Sequence, residues 1–436
     1  MTKTTQNSRF SKLLRSPLPV LPPALPEVFE DLRVSVDRFC LLAGVEALGE
    51  MLAEDAEALC GPRHARTAGR QGHRWGTTRS EIAYHGGKVK VARPRVRDLA
   101  DKEMRLPSWE LLSDPAVLQA WAVNLMVLSV STRKYGRAVR LPGAAGGDLP
   151  AQSGDATSKS AVSRRFVALT RKKLKAWLAS TLSDLDLLVI QIDGLYVGDH
   201  VMLAAIGIDG GGEKHVLGLA EGASENAATV QALLDNLTAR GLDPAVPRLF
   251  ILDGAKALSK AVRRTFGAAA AIQRCQVHKG RNIIERLDES LHAGVKKALR
   301  QAWDQDDAEK AERLLKNLAR RLELEAPGVS ASILEGLDEI LTVIRLGLPP
   351  ELRRSLACTN AIENALGTVR TVQRNVKRWR NAEMALRWTA AGLLEAKKTF
   401  RRLKAYRHIP SLRAALQEHM KKAKNKSVVE TIKKAA

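Results

Sequence analysis

Residues 187–197 have the sequence LLVIQIDGLYV, an apolar and largely β-branched run that contains Asp193-Gly194. A second run of this kind, RLFILDGAK at residues 248–256, contains Asp253-Gly254. Such runs predict buried β-strands, and a carboxylate at the C-terminal end of a strand lies where open α/β sheets place their chemistry. We therefore expect an α/β sheet in which Asp193 and Asp253 are neighbours.

The chain around these two runs predicts the remaining strands. Two apolar segments at 200–210 and 214–223 follow the first run after tight turns, whose Gly and Asp residues supply the positive φ angles of hairpins. Helical patterns at 226–242 and 255–267 flank the second run, and a short fifth strand is expected within 270–278. The order β-β-β-α-β-α-β is that of ribonuclease H-like folds. We therefore predict an α/β ribonuclease H-like catalytic core with a mixed five-stranded sheet.

A third stretch, CTNAIENALGTVRTVQR at residues 358–374, places Glu363 near the start of a helix rich in arginine. Hard cations take carboxylate oxygens, and two such ions about 3.5–4 Å apart support the in-line displacement of a phosphoryl group. We therefore expect two Mg²⁺ or Mn²⁺ ions per active site, with catalytic and metal-binding roles for Asp193, Asp253 and Glu363.

Each of these carboxylates also has a simpler interpretation. Asp193 and Asp253 could be turn residues before glycine, and Asp253 could cap the helix that follows it. Glu363 could belong to a capping box with Asn360, or Thr359 could be the cap. The three together favour a shared site, because unrelated turn and cap residues have no reason to meet on this strand order.

The composition indicates what such a site acts on. A net charge of +23 and a pI near 10.1 attract phosphate polyanions, because each Lys or Arg that neutralises a phosphate releases condensed counterions. Nucleic acid is the expected partner, although a protein that merely coats nucleic acid would carry the same charge. The hydrophobic content of 45% argues against a disordered basic tail.

The cysteines and apolar segments bear on the location of the protein. The four cysteines lie far apart without a CxxC pair, so neither a disulfide scaffold nor a four-cysteine zinc site is expected. The basic N-terminus leads into proline-rich sequence, and no run of about 18 apolar residues occurs. We expect a cytoplasmic protein without a membrane span.

The first 180 residues predict a region separate from the sheet. A flexible, proline-rich arm at 1–26 precedes a mainly α-helical DNA-binding region at 27–180, with a hairpin at about 80–97 that turns at Gly86-Gly87. At 153–180 a polar turn leads into a helix, as in a helix-turn-helix. The alternative is an ordinary amphipathic helix, capped by Ser158 or Ser160, whose core-facing residues are Val162, Phe166, Leu169 and Leu174.

The remaining chain divides by composition and pattern. The predicted segments are the first part of the catalytic domain at 184–282, a helical insertion at 283–348, the rest of the catalytic domain with the Glu363 helix at 349–407, and a basic tail at 408–436. The chain past Trp388 is expected to stay helical and to end in a frayed segment at 421–436. Basic side chains without nearby acids suit a phosphate backbone, although a solvated helix face is the alternative. The candidate DNA contacts are Lys159, Ser160, Arg164, Arg165, Arg281, Arg370, Arg374, Lys377 and Arg378.

Two motifs accompany the three acids. They are Cys275-x-x-His278-x-x-Arg281-Asn282 and Thr359-Asn360-x-x-Glu363-x-x-Leu366. With the acids, they resemble the Mutator-type transposases of bacterial insertion sequences over about residues 26–407. The basic residues after Glu363 are spaced more widely here than in that family, which affects individual DNA contacts rather than the acids.

The resemblance implies a DDE transposase, with Asp193, Asp253 and Glu363 as the catalytic triad. Such a protein binds the terminal inverted repeats of its element, hydrolyses a phosphodiester and transfers the strand to target DNA, and it acts as a homodimer or larger assembly. Two rivals remain: a ribonuclease H-like nuclease or resolvase, and a non-catalytic domesticated DNA-binding protein.

Other residues of the motifs have supporting roles. Cys275 and His278 do not make a zinc site alone, so we assign both, with Asn282 and Asn360, to orienting or structural roles. Trp379 and Trp388 could stack on an extruded base, but core packing is favoured for both.

Overall fold

The computed structural model describes residues 26–65, 68–140, 154–222 and 227–435. Within them the chain forms two compact units, the first comprising residues up to 121 and 133–162, the second 122–132 and residues from 163 onward. The predicted arm at 1–26 lies outside the described residues except for its last residue. No helix of the described part combines the length and the apolar character that a membrane span requires.

The N-terminal part is built from one long helix, a hairpin and short helices. In chain order the elements are α1 (Pro26–Cys60), β1 (Gly72–Tyr84), β2 (Gly87–Asp98), β3 (Glu103–Met104), α2 (Pro107–Leu112), α3 (Pro115–Val127) and α4 (Tyr135–Ala138). One apolar cluster includes Leu52 and Ala56 of α1 with Ile82 and Val89 of the hairpin. Burial of these side chains holds the helix against one face of the two strands.

The hairpin differs from its prediction in length and in turn. β1 begins at Gly72 rather than near residue 80. Its first residues, 72–79, are rich in glycine and arginine and show no apolar alternation, but they pair with β2 and so belong to the strand. Tyr84 pairs with Gly87, so the two turn residues are His85 and Gly86, with φ of 46° and 80°. Positive φ at both positions matches the twist of a two-residue hairpin turn.

The predicted helix of the 153–180 segment is present as α5 (Lys159–Leu178) after a short 3₁₀ turn at Gly154–Thr157. The Ser158 hydroxyl accepts a hydrogen bond from the Ala161 N–H at 3.3 Å and so caps the helix. Val162 and Phe166 are buried, as the amphipathic pattern predicted. Residues 141–153 lie outside the described part, and with them most of the expected turn before this helix.

The second unit contains the predicted mixed five-stranded sheet. Its strands are β4 (Leu187–Val197), β5 (His200–Asp209), β6 (Lys214–Gly222), β7 (Leu249–Leu252) and β8 (Ala271–Arg274). The spatial order is β6-β5-β4-β7-β8, with β4, β5 and β6 antiparallel and with β7 and β8 added parallel. The strand order along the chain agrees with the sequence prediction. Two helices, α6 (Ala227–Ala239) and α7 (Lys256–Phe266), make the connections.

β4 is buried on both faces, as its nearly continuous apolar run predicted. Ile190 and Ile192 point into a cluster that includes α6 and α7. Leu195 and Val197 point to the other face and pack with α15 (Asn360–Gln373) and α16 (Ala382–Lys397). Since side chains alternate along a strand, Asp193 shares the face that is covered by α15.

The predicted helical insertion is present. The helices between β8 and α15 are α8 (Gln276–Ile284), α9 (Glu289–Trp303), α10 (Ala308–Leu322), α11 (Pro327–Leu334), α12 (Leu337–Ile340), α13 (Thr342–Arg345) and α14 (Pro350–Leu356). Their apolar side chains form one cluster with Leu249 and Ile251 of β7. The insertion is therefore packed on the sheet at the β7-β8 side.

The C-terminal segment is helical, as the sequence predicted for the chain past Trp388. α17 spans Ile409–Ala435, and Leu412 and Leu416 are buried in the same cluster as the insertion. The His419 ring is hydrogen-bonded to the Ala269 carbonyl at 3.1 Å. The same helix includes residues 421–435, where a frayed end was expected from the sequence.

Candidate active site

The sheet register places Asp193 and Asp253 side by side. β4 and β7 run parallel, and Ile192 pairs with Leu252, so the two aspartates are the next residues on neighbouring strands. The Gly194 N–H donates to Asp193 Oδ1 at 2.9 Å, and the Ala255 N–H donates to Asp253 Oδ1 at 3.0 Å. One oxygen of each carboxylate is thus held by a nearby backbone N–H, within β4 for Asp193 and in the turn after β7 for Asp253.

A buried glutamine brings the third acid to this edge. Gln191, 1% exposed, donates from Nε2 to the Cys358 carbonyl at 3.2 Å and accepts from the Ile362 N–H at 3.1 Å. These two bonds tie the start of α15 to β4, two residues before Asp193. The sequence analysis missed Gln191, although a lone polar residue inside LLVIQIDG was a signal for it.

Glu363 lies in the first turn of α15, on the side of the sheet that carries Asp193. Thr359 precedes the helix, but no side chain caps the helix. The Thr359 hydroxyl instead donates to Glu363 Oε1 at 2.8 Å. The capping-box interpretation is therefore wrong, and Asn360 is exposed as the first residue of the helix. Thr359, just before the helix, therefore helps to orient the Glu363 side chain.

The three carboxylates influence one another. Burial raises the pKa of Asp193 to about 6, and the charges of Asp253 and Glu363 add to this rise against the Gly194 hydrogen bond and the charge of His278. Among the salt bridges of the described residues, none joins Lys or Arg to either aspartate. The site therefore carries negative charge that the described lysines and arginines do not pair.

Cys275 and His278 lie beside Glu363. Cys275 follows β8, its N–H donates to the Leu252 carbonyl at 2.7 Å, and its sulfur accepts from the His278 N–H at 3.5 Å. His278 Nε2 is 3.8 Å from Glu363 Oε1. Hydrogen bonding to Cys275 raises the pKa of His278 to about 9, so the ring is an imidazolium at neutral pH.

The cysteine, the histidine and the glutamate form a tight group. Their ligand atoms lie within 4.8 Å of one another, and Asp193 and Asp253 lie outside this group of described residues. Burial would raise the pKa of the Cys275 thiol, but hydrogen bonds with His278 and Thr359 lower it. Cys275 and His278 hold each other in this way, and the His278 ring faces the Glu363 carboxylate.

The two candidate tryptophans are packed in the protein, whereas most candidate DNA-binding residues are exposed. Trp388 is 7% exposed and packs on Phe166 at 4.5 Å between ring centroids, so its expected core role is confirmed. Trp379 is half-buried, and a Cβ on Gly198 would meet its ring at 2.8 Å. Arg165 is half-buried, whereas the exposed candidates are Lys159, Ser160, Arg164, Arg281, Asn282, Arg370, Arg374, Lys377 and Arg378.

Comparison with known proteins gives one consistent family. The profile described as "Transposase, Mutator family" matches residues 41–402. The transposase for insertion sequence element IS6120 of Mycolicibacterium smegmatis is 30% identical over 224 residues, which are 50% of this chain and 68% of that protein. The transposase for IST2 of Acidithiobacillus ferrooxidans is 32% identical over 169 residues, 39% of this chain and 56% of that protein.

A third relative covers nearly the whole chain. The transposase for insertion sequence element ISRM5 of Rhizobium meliloti is 25% identical over 381 residues, 85% of this chain and 89% of that protein. Because the family profile extends over both units and includes Asp193, Asp253 and Glu363, the match is not confined to one fragment. The chain belongs to the Mutator family of transposases.

Proposed function

We propose that this transposase cuts and joins DNA with a ribonuclease H-like core in which Asp193, Asp253 and Glu363 are the catalytic residues. The observation that carries the proposal is the register that sets Asp193 beside Asp253, together with the Gln191 bonds that bring the Glu363 helix to the same strand. The mixed five-stranded sheet, in the order β6-β5-β4-β7-β8, supports the proposal of a ribonuclease H-like core. The three acids come from distant parts of the chain, which argues against three unrelated turn residues.

The donor set supports divalent metal ions as cofactors. All three side chains offer carboxylate oxygens, which Mg²⁺ and Mn²⁺ prefer, and burial together with the charges of the other two acids raises the pKa of Asp193. Two such ions held by these acids would stabilise the attacking and leaving oxygens of a phosphodiester displacement. Asp193 responds to the charges of both other acids, so we assign it as the shared ligand.

The surrounding groups orient the acids. The backbone N–H groups of Gly194 and Ala255 each hold one oxygen of an aspartate. Thr359 and the His278 ring both approach Oε1 of Glu363, and within the described part of the chain Oε2 has no hydrogen bond or ion pair. Orientation of this kind lowers the reorganisation that ligand binding would otherwise require.

The substrate in this proposal is double-stranded DNA, at the terminal inverted repeats of the element and at its target. The net charge of +23 supports this, as do the exposed basic residues that follow the Glu363 helix. Two ends of an element must be processed together, so we propose a homodimer or larger assembly on DNA, in the nucleoid.

Arg378→Ala is expected to weaken binding to a duplex with the terminal repeat. Arg378 is exposed next to Trp379, whose ring packs on the Gly198 turn and anchors the segment between α15 and α16. Loss of one phosphate contact should make the slope of log K against log salt shallower by about 0.9. Fluorescence anisotropy at several salt concentrations measures this. Arg321→Ala, on an exposed face of α10, is the control, and equal slopes for both variants would contradict the contact.

The decisive test of the function is cleavage and strand transfer on labelled DNA that carries the element's own ends, with Mg²⁺ or Mn²⁺. Glu363→Gln should abolish both reactions, by a factor of about 10³ or more if it removes a metal ligand, and should leave DNA binding intact. Glu309→Gln is the matched control, since Glu309 also lies in the first turn of a helix and is exposed.

The other outcomes identify the rivals. Cleavage without strand transfer by the wild type would indicate a ribonuclease H-like nuclease or resolvase. Binding without any reaction would indicate a non-catalytic DNA-binding protein. Full activity of Glu363→Gln would show that the proposed triad is wrong.

A further inference from the structure

A second cluster of charged side chains lies beside Asp253. Arg274, the last residue of β8, has a side chain that is only 12% exposed. Its Nη2 donates to the Gly254 carbonyl at 2.7 Å, and its Nη1 donates to the Glu335 carbonyl at 3.1 Å. Gly254 directly follows Asp253, and Glu335 lies between α11 and α12. One guanidinium therefore joins the Asp253 turn to the helical insertion.

The backbone on both sides is fitted to this guanidinium. Gly254 has φ of 107°, and a Cβ there would collide with Nε of Arg274. Gly336 has φ of 71°, and a Cβ there would collide with Nη1. Both positions need glycine for their dihedral angles and for the close approach of Arg274.

The Glu335 carboxylate extends the cluster to both sides of the candidate active site. Lys256, just after the Asp253 turn, is 3.2 Å from it. Lys279, next to His278, is 3.9 Å from it and also donates to the Glu335 carbonyl at 3.2 Å. The Lys279 side chain is 3% exposed. A buried lysine is costly unless paired, so these contacts hold Lys279 and the insertion together.

The Asp253 carboxylate depends on the turn that Arg274 holds. Asp253 Oδ1 accepts from the Ala255 N–H at 3.0 Å, and the Gly254 carbonyl lies in the same turn. A rotation of this turn would move the donor and with it the carboxylate. Arg274 thus acts on Asp253 through the backbone, without contact to the reacting atoms.

We propose that Arg274 is a positioning residue that orients Asp253 for metal binding, and that Glu335 makes this orientation depend on the helical insertion. The inference rests on the proposed function, because it assumes that Asp253 is a metal ligand. A change in the α11–α12 connection, such as one caused by DNA bound to the insertion, would then alter the metal site.

The test is a calorimetric Mn²⁺ titration of the full chain, with Arg274→Lys against Arg248→Lys. Arg248 is 6% exposed and also donates to backbone carbonyls, those of Leu187 and Val246, but it precedes β7 at the end opposite Asp253. Arg274→Lys should weaken Mn²⁺ binding about 10–100-fold, as loss of an outer-sphere partner does, and Arg248→Lys should change it by less than about twofold.

Cleavage activity separates positioning from a packing defect. Raising Mn²⁺ to saturation should restore the cleavage rate of Arg274→Lys, because only the metal affinity is reduced. Glu335→Gln keeps the carbonyl that Arg274 contacts, so it should weaken Mn²⁺ binding measurably but less than Arg274→Lys. Unfolding curves in EDTA show whether each variant is folded.

Each outcome has a defined meaning. Wild-type Mn²⁺ affinity in Arg274→Lys would overturn the positioning role and leave the proposed function in place. Wild-type affinity in Glu335→Gln would overturn the part assigned to the insertion. A wild-type protein that binds no Mn²⁺ would overturn both this inference and the proposed metal site.

Discussion

Replacing Asp193 with Asn is expected to abolish DNA cleavage and, at the same time, to stabilise the metal-free protein. The carboxylate is enclosed near two other acids, and burial raises its pKa to about 6 from 3.8. Asn has nearly the same shape but no charge, so it removes both the metal ligand and the repulsion. Residues that serve a function at the expense of stability often behave in this way.

The pH dependence of stability follows from proton binding to Asp193. Between about pH 4 and 6 the folded state holds a proton on Asp193 that the unfolded state has released, so wild-type stability falls as pH rises through this window. Above about pH 6 the ionised Asp193 lowers the stability of the folded protein by the full amount. The shift of about two pH units corresponds to about 3 kcal/mol, and partial exposure to solvent reduces the expected gain of Asp193→Asn to about 1–3 kcal/mol.

Denaturant unfolding in EDTA at neutral pH and near pH 4 measures the gain, which should vanish at the lower pH. Asp209→Asn, on the same sheet, is a control for which the expected change in stability has the opposite sign. Burial acts against ionisation there, but hydrogen bonds from His215, Glu213 and Gly211 hold the pKa of Asp209 below its ordinary value. Asp209→Asn should therefore lose stability at neutral pH. Cleavage by Asp193→Asn at the wild-type rate would contradict the catalytic assignment.

Gln191→Leu is expected to have the second large effect, on both stability and the metal site. The leucine fits the apolar surroundings of β4 but leaves the Cys358 carbonyl and the Ile362 N–H without their partner. Each buried unpaired group costs about 1–3 kcal/mol, so a loss of about 2–5 kcal/mol is expected. The Glu363 helix also loses its tie to the strand that carries Asp193.

Chemical unfolding and Mn²⁺ titration measure the two consequences of Gln191→Leu. Gln373→Leu, at the far end of α15, is the matched control, since Gln373 is also buried and its Nε2 donates to the Thr389 hydroxyl at 3.0 Å. It should cost about 1 kcal/mol, because one neutral hydrogen bond between side chains is lost and both backbone partners of Gln191 keep theirs, and Mn²⁺ binding should not change. A Gln191→Leu protein with wild-type stability and Mn²⁺ affinity would show that the tie does not position Glu363.

Local patterns were sufficient for several features. The apolar runs at β4 and β7 predicted strands because a strand buried on both faces must be apolar nearly throughout. The helical spacing between β8 and α15 predicted the insertion. Phe166 and Trp388 were both expected in the core, and they pack on each other.

Other features depended on contacts that local patterns do not contain. The outer half of β1 has no apolar alternation, and its pairing with β2 makes it a strand. Thr359 was considered as a helix cap, whereas its hydroxyl donates to Glu363.

The succession of strands and the neighbouring positions of Asp193 and Asp253 could be predicted from local patterns, because a strand that is buried on both faces is apolar nearly throughout. The way in which Glu363 reaches the two aspartates depends on contacts between residues that are far apart in the chain. Gln191 bonds to residues 167 and 171 positions away, and Arg274 bonds across 61 positions to Glu335. Such bonds form only when packing brings the partners together, so no local pattern could predict them.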